Sequence, residues 1–330
     1  MRHIYCCLED GTVFEGAAIG EAVECAGLLS FYTGVVGYQE VITDPANLGK
    51  IVVYTYPLIG NYGVNSEDAE SAGPKVVGIL AKEYPPYYSN FRAEASLAEY
   101  LASSPTVFGH RFDTRAMMVH MRECGEIQAV ISPEKLSTDK VKERLAEVQP
   151  KRYEPENSPV ACDRAVPIAK AEVIDLGASR SFYKHLAAVG IDATCEASDA
   201  DVVIVSDAPY YAVEDQGNVD LVRARIGSKP VLGFGHGSAI VAAACGAKVS
   251  RLRFGDHGLN IPVKFLGGGR NEITVQNHNY VVVPEGAVEP LFINIHDGTC
   301  EGFVCRDSQA AGANFLPNEI WLQAMLEAVS

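Results

Sequence analysis

No apolar run in the chain approaches the roughly 18 residues that a membrane-spanning helix needs. The opening residues, Met-Arg-His-Ile-Tyr-Cys-Cys-Leu-Glu-Asp, lack the order of a secretory signal. A cytoplasmic protein without membrane attachment is expected. Basic residues are outnumbered: 27 Lys and Arg against 42 Asp and Glu leave a formal net charge of −15. A nucleic-acid partner would demand a basic stripe, so none is expected. Metal-ligand spacing is missing too. The nine cysteines include no CxxC pair, the eight histidines include no HExxH, and no pair near Cys300 and Cys305 completes a zinc site. No metal and no cofactor are expected. An odd number of cysteines without an export signal points to reduced thiols rather than a disulfide framework.

What is present is ordinary for a globular protein. The 330 residues are 48% hydrophobic and 21% charged, and leave room for two domains with separate cores. The most informative stretch is 229–248. Its apolar run ending at Phe234 predicts a buried strand, Gly-His-Gly (235–237) a turn, and 238–245 a helix closed by Gly246. Strand, tight turn and helix make a nucleophile elbow, which lifts a reactive side chain above a parallel sheet. The tip of this elbow is Gly235, flanked by Phe234 and His236. It has no side chain to present.

Before the elbow, residues 4–8 and 13–16 predict a hairpin turning at Asp10-Gly11, and 28–33 and 50–55 two further strands. A short helical turn is expected near 37–43, ended by Asp44-Pro45. Residues 56–65, dense in Gly, Asn and Tyr, read as a long ordered loop. Helices are expected at 96–102, capped by Ser96, and at 113–122, capped by Asp113. The proline-rich stretch 133–170 reads as a linker carrying one helix at 138–148. Strands are then expected at 172–177, 192–195, 201–206 and 230–234, with a helix at 179–190. That alternation implies a parallel sheet with helices on both faces.

Several motifs appear in order. Leu-Glu-Asp-Gly-Thr-Val-Phe-Glu-Gly (8–16), Thr-Gly-Val-Val-Gly-Tyr-Gln-Glu (33–40), Thr-Tyr-Pro-Leu-Ile-Gly-Asn-Tyr-Gly-Val-Asn (55–65) and Asp-Thr-Arg (113–115) come first. Pro-Val-Leu-Gly-Phe (230–234), Glu-Ile-Thr-Val-Gln-Asn-His (272–278) and Asp-Gly-Thr-Cys-Glu-Gly (297–302) follow. Together they resemble the carbamoyl phosphate synthetase small subunit, whose second domain is a class I glutamine amidotransferase. The resemblance covers nearly the whole chain, fading after about residue 318. It implies a mixed α/β small-subunit domain over 1–132, a linker over 133–170, and over 171–330 a glutaminase-like open, mostly parallel sheet with helices on both faces. It also implies a synthetase large subunit as partner and a place in carbamoyl phosphate (pyrimidine and arginine) biosynthesis.

The resemblance breaks where the chemistry should be. A class I glutaminase uses a Cys nucleophile, a His base and an orienting Glu. The family's Gly-Ile-Cys-Leu-Gly-His-Gln reads Gly-Phe-Gly-His-Gly-Ser-Ala (233–239) here, so the cysteine position is Gly235. The Gln-Tyr-His-Pro-Glu motif reads Asn-Phe-Leu-Pro-Asn (314–318), so His becomes Leu316 and Glu becomes Asn318. The oxyanion motif Ser-Asn-Gly-Pro-Gly-Asp reads Ser-Asp-Ala-Pro-Tyr-Tyr (206–211), which puts Ala208 and Tyr210 in glycine positions, and Tyr210 is expected to fill the oxyanion space. Ala239 stands for the glutamine-contacting Gln and Gly34 for a Ser of the first domain. Asn277, His278, Asn279 and Tyr280 replace Asn-His-Gly-Phe, and with His236 complete a remodelled pocket. Asp256-His257 is expected in a loop turning at Gly258, and Cys245 as a buried small hydrophobe too far along the helix to rescue Gly235.

The expectation is a paralogue-like small subunit without glutamine hydrolysis, acting as scaffold or regulator of a large subunit. The alternatives are a small-molecule sensor using the remodelled pocket, or a repurposed hydrolase built on Ser238 or His236.

Overall fold

The hairpin at Asp10-Gly11 shows how the first unit begins. In the computed structural model, which describes residues 2–330, Gly11 adopts φ +93° and Thr12 donates its N–H to Asp10 Oδ1 at 2.8 Å. The turn joins β1 (Arg2–Leu8) to an antiparallel β2 (Val13–Ile19). Five more strands follow: β3 (Cys25–Tyr32), β4 (Lys50–Tyr54), β5 (Gly78–Leu80), β6 (Val107–His110) and β7 (Gln128–Ser132). All seven close into a barrel in the order β1-β2-β6-β5-β4-β3-β7, which removes every free sheet edge.

The helices of this unit are α1 (Tyr38–Thr43), α2 (Leu97–Leu101), α3 (Thr114–Cys124) and α4 (Thr138–Glu147). Ser96 and Glu99 form a reciprocal capping box on α2, and Asp113 accepts from Ala116 N on α3. The Asp-Pro pair ends α1 as expected, with Asp44 extended, and a separate 3-10 turn then runs over Pro45–Asn47 with Asp44 as its cap. Proline at the first position of such a turn loses no hydrogen bond. The loop 56–65 is ordered by its neighbours. Tyr62 stacks on Tyr38 with centroids 4.1 Å apart, and Gln39 exchanges two hydrogen bonds with the backbone of Asn65.

The chain divides at residues 152 and 153 into two compact units. The second contains a nine-stranded sheet. Its parallel half holds β8 (Ala169–Ile174), β9 (Ile191–Asp192), β10 (Val202–Val205), β11 (Val231–Phe234) and β16 (Ala310–Ala313), in the order β16-β11-β10-β8-β9. Its antiparallel half adds β12 (Val249–Phe265), β13 (Glu272–Val282), β14 (Glu289–Asn294) and β15 (Cys300–Cys305). The helices are α5 (Arg180–Ala188), α6 (Gln216–Arg223), α7 (His236–Ala244) and α8 (Glu319–Val329).

Hydrophobic clusters lie on either side of the sheet, one with Phe182, Phe292 and Trp321, the other with Ile240, Val241 and Phe303. All four residues of β11 are buried, as expected of a central parallel strand covered on both faces. Several boundaries differ from expectation. β8 starts at Ala169 and stops at Ile174, because Asp175 turns the chain by accepting from Gly177 and Ala178 N–H. β9 is two residues long, and α7 starts at His236 rather than 238. Asp256 and His257 lie within β12, between its two register shifts, so the expected loop is a bulged strand. No described helix is long and apolar enough to cross a membrane.

Candidate functional site

The turn from β11 into α7 keeps the backbone of a nucleophile elbow. Gly235 sits at φ +57° and ψ −133°, a conformation that residues with a side chain rarely adopt. Beyond it Gly237 is pressed against Ser206 O, where a Cβ would have no room. The strand and helix are packed as closely as the fold permits. The tip is filled all the same, from another direction.

A Cβ on Gly235 would run into the carboxylate of Asp207. That carboxylate follows β10 and is held by two backbone donors. Asp207 Oδ1 accepts from His236 N at 2.8 Å and from its neighbour Ala208 N at 2.7 Å. An elbow's oxyanion hole is built from the N–H after the tip together with one from a neighbouring loop. Here both N–H groups are turned onto the protein's own carboxylate. Tyr210, expected in this space, has neighbours of its own. It opens a 3-10 turn (Tyr210–Val213), packs edge-on against Tyr211 with centroids 5.2 Å apart, and lies 5.8 Å below the Arg251 guanidinium. Asp207 lies in the oxyanion motif 206–211 and is in sequence only a conceivable base for Ser238, because its position against Gly235 depends on strand pairing.

His236 is 1% exposed. Its Nε2 lies 3.2 Å from the backbone N of Asn279 and 3.2 Å from that residue's side-chain oxygen, and its Nδ1 is 3.3 Å from Asp207 Oδ1. A backbone N–H can only donate, so Nε2 accepts there and the ring proton sits on Nδ1, toward the carboxylate. Tyr280 packs edge-on against the ring at 6.1 Å and donates its hydroxyl to Glu214 at 2.6 Å. Ala208 and Ala239 are buried in the surrounding core. These residues of the expected pocket do come together, and His236 Nδ1 is left without a hydrogen-bond partner among them.

The remaining predicted positions go elsewhere. His278 bonds Gln276, Glu301 and the carbonyl of Tyr280 rather than the His236 group, and Asn277 Oδ1 pairs with His257 at 2.7 Å. Gly34 belongs to the first unit, where its Cα faces the Tyr32 ring. Leu316 is 37% exposed and carries no titratable group. Asn318 serves the architecture. Its Oδ1 caps α8 by accepting from Trp321 N at 2.9 Å, and its Nδ2 donates to Glu272 at 2.6 Å. Ser238 is buried, and its hydroxyl has no hydrogen-bond partner, hence no base. Burial pushes the Cys245 thiol up to about 12, far from a reactive thiolate.

Sequence reasoning also missed Glu301 on β15. It is fully buried beside His278, with Asp256 of β12 close by. These three residues are 22 and 23 positions apart in the chain, and no motif joins them.

The architecture of the second unit, an elbow on a parallel strand within a nine-stranded sheet, is that of a class I glutamine amidotransferase. Residues 170–320 match the family described as glutamine amidotransferase class-I, and residues 6–131 match the carbamoyl-phosphate synthase small chain, CPSase domain. Among relatives, the carbamoyl phosphate synthase small chain of Clostridium perfringens is 36% identical over 94% of this chain and 92% of its own. That of Symbiobacterium thermophilum is 35% identical over 91% and 89%. A solved glutamine amidotransferase from Thermotoga maritima aligns at 16% identity over 46% of this chain and 76% of its own, with a TM-score of 0.34, too low to argue from. The chain belongs to the carbamoyl phosphate synthase small chain family.

Proposed function

We propose that this protein is a carbamoyl phosphate synthase small chain that does not hydrolyse glutamine. It serves a synthase large subunit in the cytoplasm as scaffold or regulator while free ammonia supplies the nitrogen. The observation that carries this is the Asp207 carboxylate, seated against the elbow tip and held by the two N–H groups that would otherwise stabilise a tetrahedral oxyanion. An anion developing there would meet a fixed negative charge instead of two free donors. Leu316 and Asn318 at the family's base positions supply no proton acceptor of the needed kind, so no residue pair remains to activate a nucleophile.

Supporting the partner are the small-chain match over 6–131 and the relatives' coverage of nearly the whole chain. The test has two arms. Glutamine hydrolysis by the purified chain, alone and with the large chain, is expected at the background rate, and turnover above it overturns the proposal. Co-purification with the large chain, followed by an ammonia-dependent synthase assay, is expected to give a complex with altered stability or rate. Neither binding nor effect would remove the scaffold role. Screening amino acids and nucleotides by thermal shift is expected to give no stabilisation, since the pocket side chains bond one another.

A further inference from the structure

Asp256, His278 and Glu301 converge from β12, β13 and β15 of the antiparallel half onto one buried point. His278 and Glu301 are fully buried, and Asp256 keeps a fifth of its side chain exposed. His278 Nε2 is 3.1 Å from Glu301 Oε2, 3.9 Å from Asp256 Oδ2 and 2.9 Å from Gln276 Oε1. One N–H can serve one of these oxygens well. Asp256 Oδ2 is left buried with no hydrogen-bond partner, which is a costly state for a carboxylate.

The surroundings hold His278, Glu301 and Gln276 in place. His278 Nδ1 donates to the Tyr280 carbonyl at 3.0 Å, which leaves Nε2 as the inward-facing nitrogen. Glu301 accepts from Asn294 Nδ2 at 3.1 Å, Thr299 Oγ1 at 3.0 Å and Asn314 Nδ2 at 3.0 Å. Gln276 donates its amide N–H to Thr274 Oγ1 at 3.0 Å, which aims its oxygen at His278. A ring N–H bonded to a carbonyl and a carboxylate, Glu301, anchored by hydrogen bonds are the supports that metal ligands require.

We propose that Asp256, His278 and Glu301 bind a divalent transition-metal cation, which replaces the proton on His278 Nε2. Around a tetrahedral zinc ion with bonds of about 2.0–2.1 Å, neighbouring donor atoms stand roughly 3.3 Å apart. The 3.1 Å separation from Nε2 to Glu301 is therefore within about 0.2 Å of that spacing, and the 3.9 Å separation to Asp256 has to close by about 0.6 Å. Two carboxylates balance the charge of the cation, and Gln276 Oε1 or a water entering beside the partly exposed Asp256 completes the coordination. An imidazole with carboxylate oxygens suits zinc or manganese better than a purely oxygen-seeking ion. Binding expels the His278 proton to solvent, so affinity falls as the pH is lowered.

The experiment uses the full chain carrying Cys124→Ser, because Asp10, His120 and Cys124 form a separate exposed grouping of donor atoms. Protein stripped with EDTA is equilibrated with zinc chloride, dialysed, and its metal content measured, with calorimetry in two buffers to count protons. About one equivalent of zinc is expected, with at least one proton released and a raised unfolding temperature. In Asp256→Asn, whose position at the rim spares the fold, retention is expected to fall at least tenfold, and circular dichroism checks that the chain is folded. Zinc at the buffer level in the parent overturns the site, and so does equal retention in the parent and in Asp256→Asn.

Discussion

Two buried histidines in the second unit, His236 and His278, occupy similar places in the sequence reading and opposite ones in the structure. His236 receives a backbone N–H on one nitrogen and faces Asp207 with the other, so a single ring proton suffices. His278 meets a carbonyl on one side and oxygen acceptors on the other, so both nitrogens must donate and the ring is an imidazolium. Burial opposes that charge, but the bond to Glu301 and the charges of Glu301 and Asp256 hold the His278 pKa above its ordinary value. Burial likewise opposes ionisation of Glu301, yet the His278 charge and the bonds from His278, Asn314 and Asn294 hold it below the usual carboxylate range. The elbow holds one carboxylate on two backbone N–H groups beside a buried histidine, whereas the antiparallel half keeps a charged cluster with one acceptor left over. Fractional exposure cannot distinguish them; the identity of the partner atoms does.

The largest effect is expected from breaking the charged pair. Glu301→Gln leaves the His278 imidazolium buried without its counter-charge and should cost about 3–5 kcal/mol in urea unfolding. A loss under about 1 kcal/mol would mean that His278 is neutral. At the elbow, Gly235→Cys places a side chain at φ +57° and against the Asp207 carboxylate. We expect a loss of about 2–4 kcal/mol and glutamine hydrolysis still at background. Restored hydrolysis would show that the elbow still carries chemistry.

Next comes the leftover acceptor. Burial pushes the Asp256 carboxyl up to about 6 from an ordinary 3.8. Between those values the folded chain binds more protons than the unfolded one, so stability falls as pH rises through that window. In EDTA at pH 7, Asp256→Asn should therefore be more stable than the parent by about 1–3 kcal/mol. The gain should vanish below about pH 4, where Asp256 is protonated in both states. Thermal unfolding as a function of pH reads this directly, and a destabilised Asp256→Asn at pH 7 would contradict it. The smallest effect lies at the start of α8. Asn318→Ala removes the cap of α8 and should cost about 1 kcal/mol, with no change in hydrolysis.

Much of the scaffold was legible in local chemistry. Asp10-Gly11 marked the first hairpin, Ser96, Asp113 and Ser179 marked helix starts, and the apolar run before Phe234 marked the central strand. Short signals failed where pairing decided the outcome. The residues 192–195 carry strand-like character, yet only Ile191 and Asp192 find a partner in β8. Asp256, His257 and Gly258 look like a turn, yet a bulge absorbs them into a 17-residue strand paired with β13.

The sequence by itself determined that the elbow has no nucleophile. That the tip is a glycine needs only the order of residues, and the resemblance to the family implies that Gly235, Leu316 and Asn318 stand at its cysteine, histidine and glutamate positions. The tertiary structure alone decided what stands in their place. Asp207 lies beside Gly235 because β10 and β11 pair in parallel with Val205 opposite Gly233. Glu301 reaches His278 because the antiparallel half of the sheet brings β13 and β15 together. Proximity across a sheet is set by register and packing, and residues tens of positions apart carry no local trace of it.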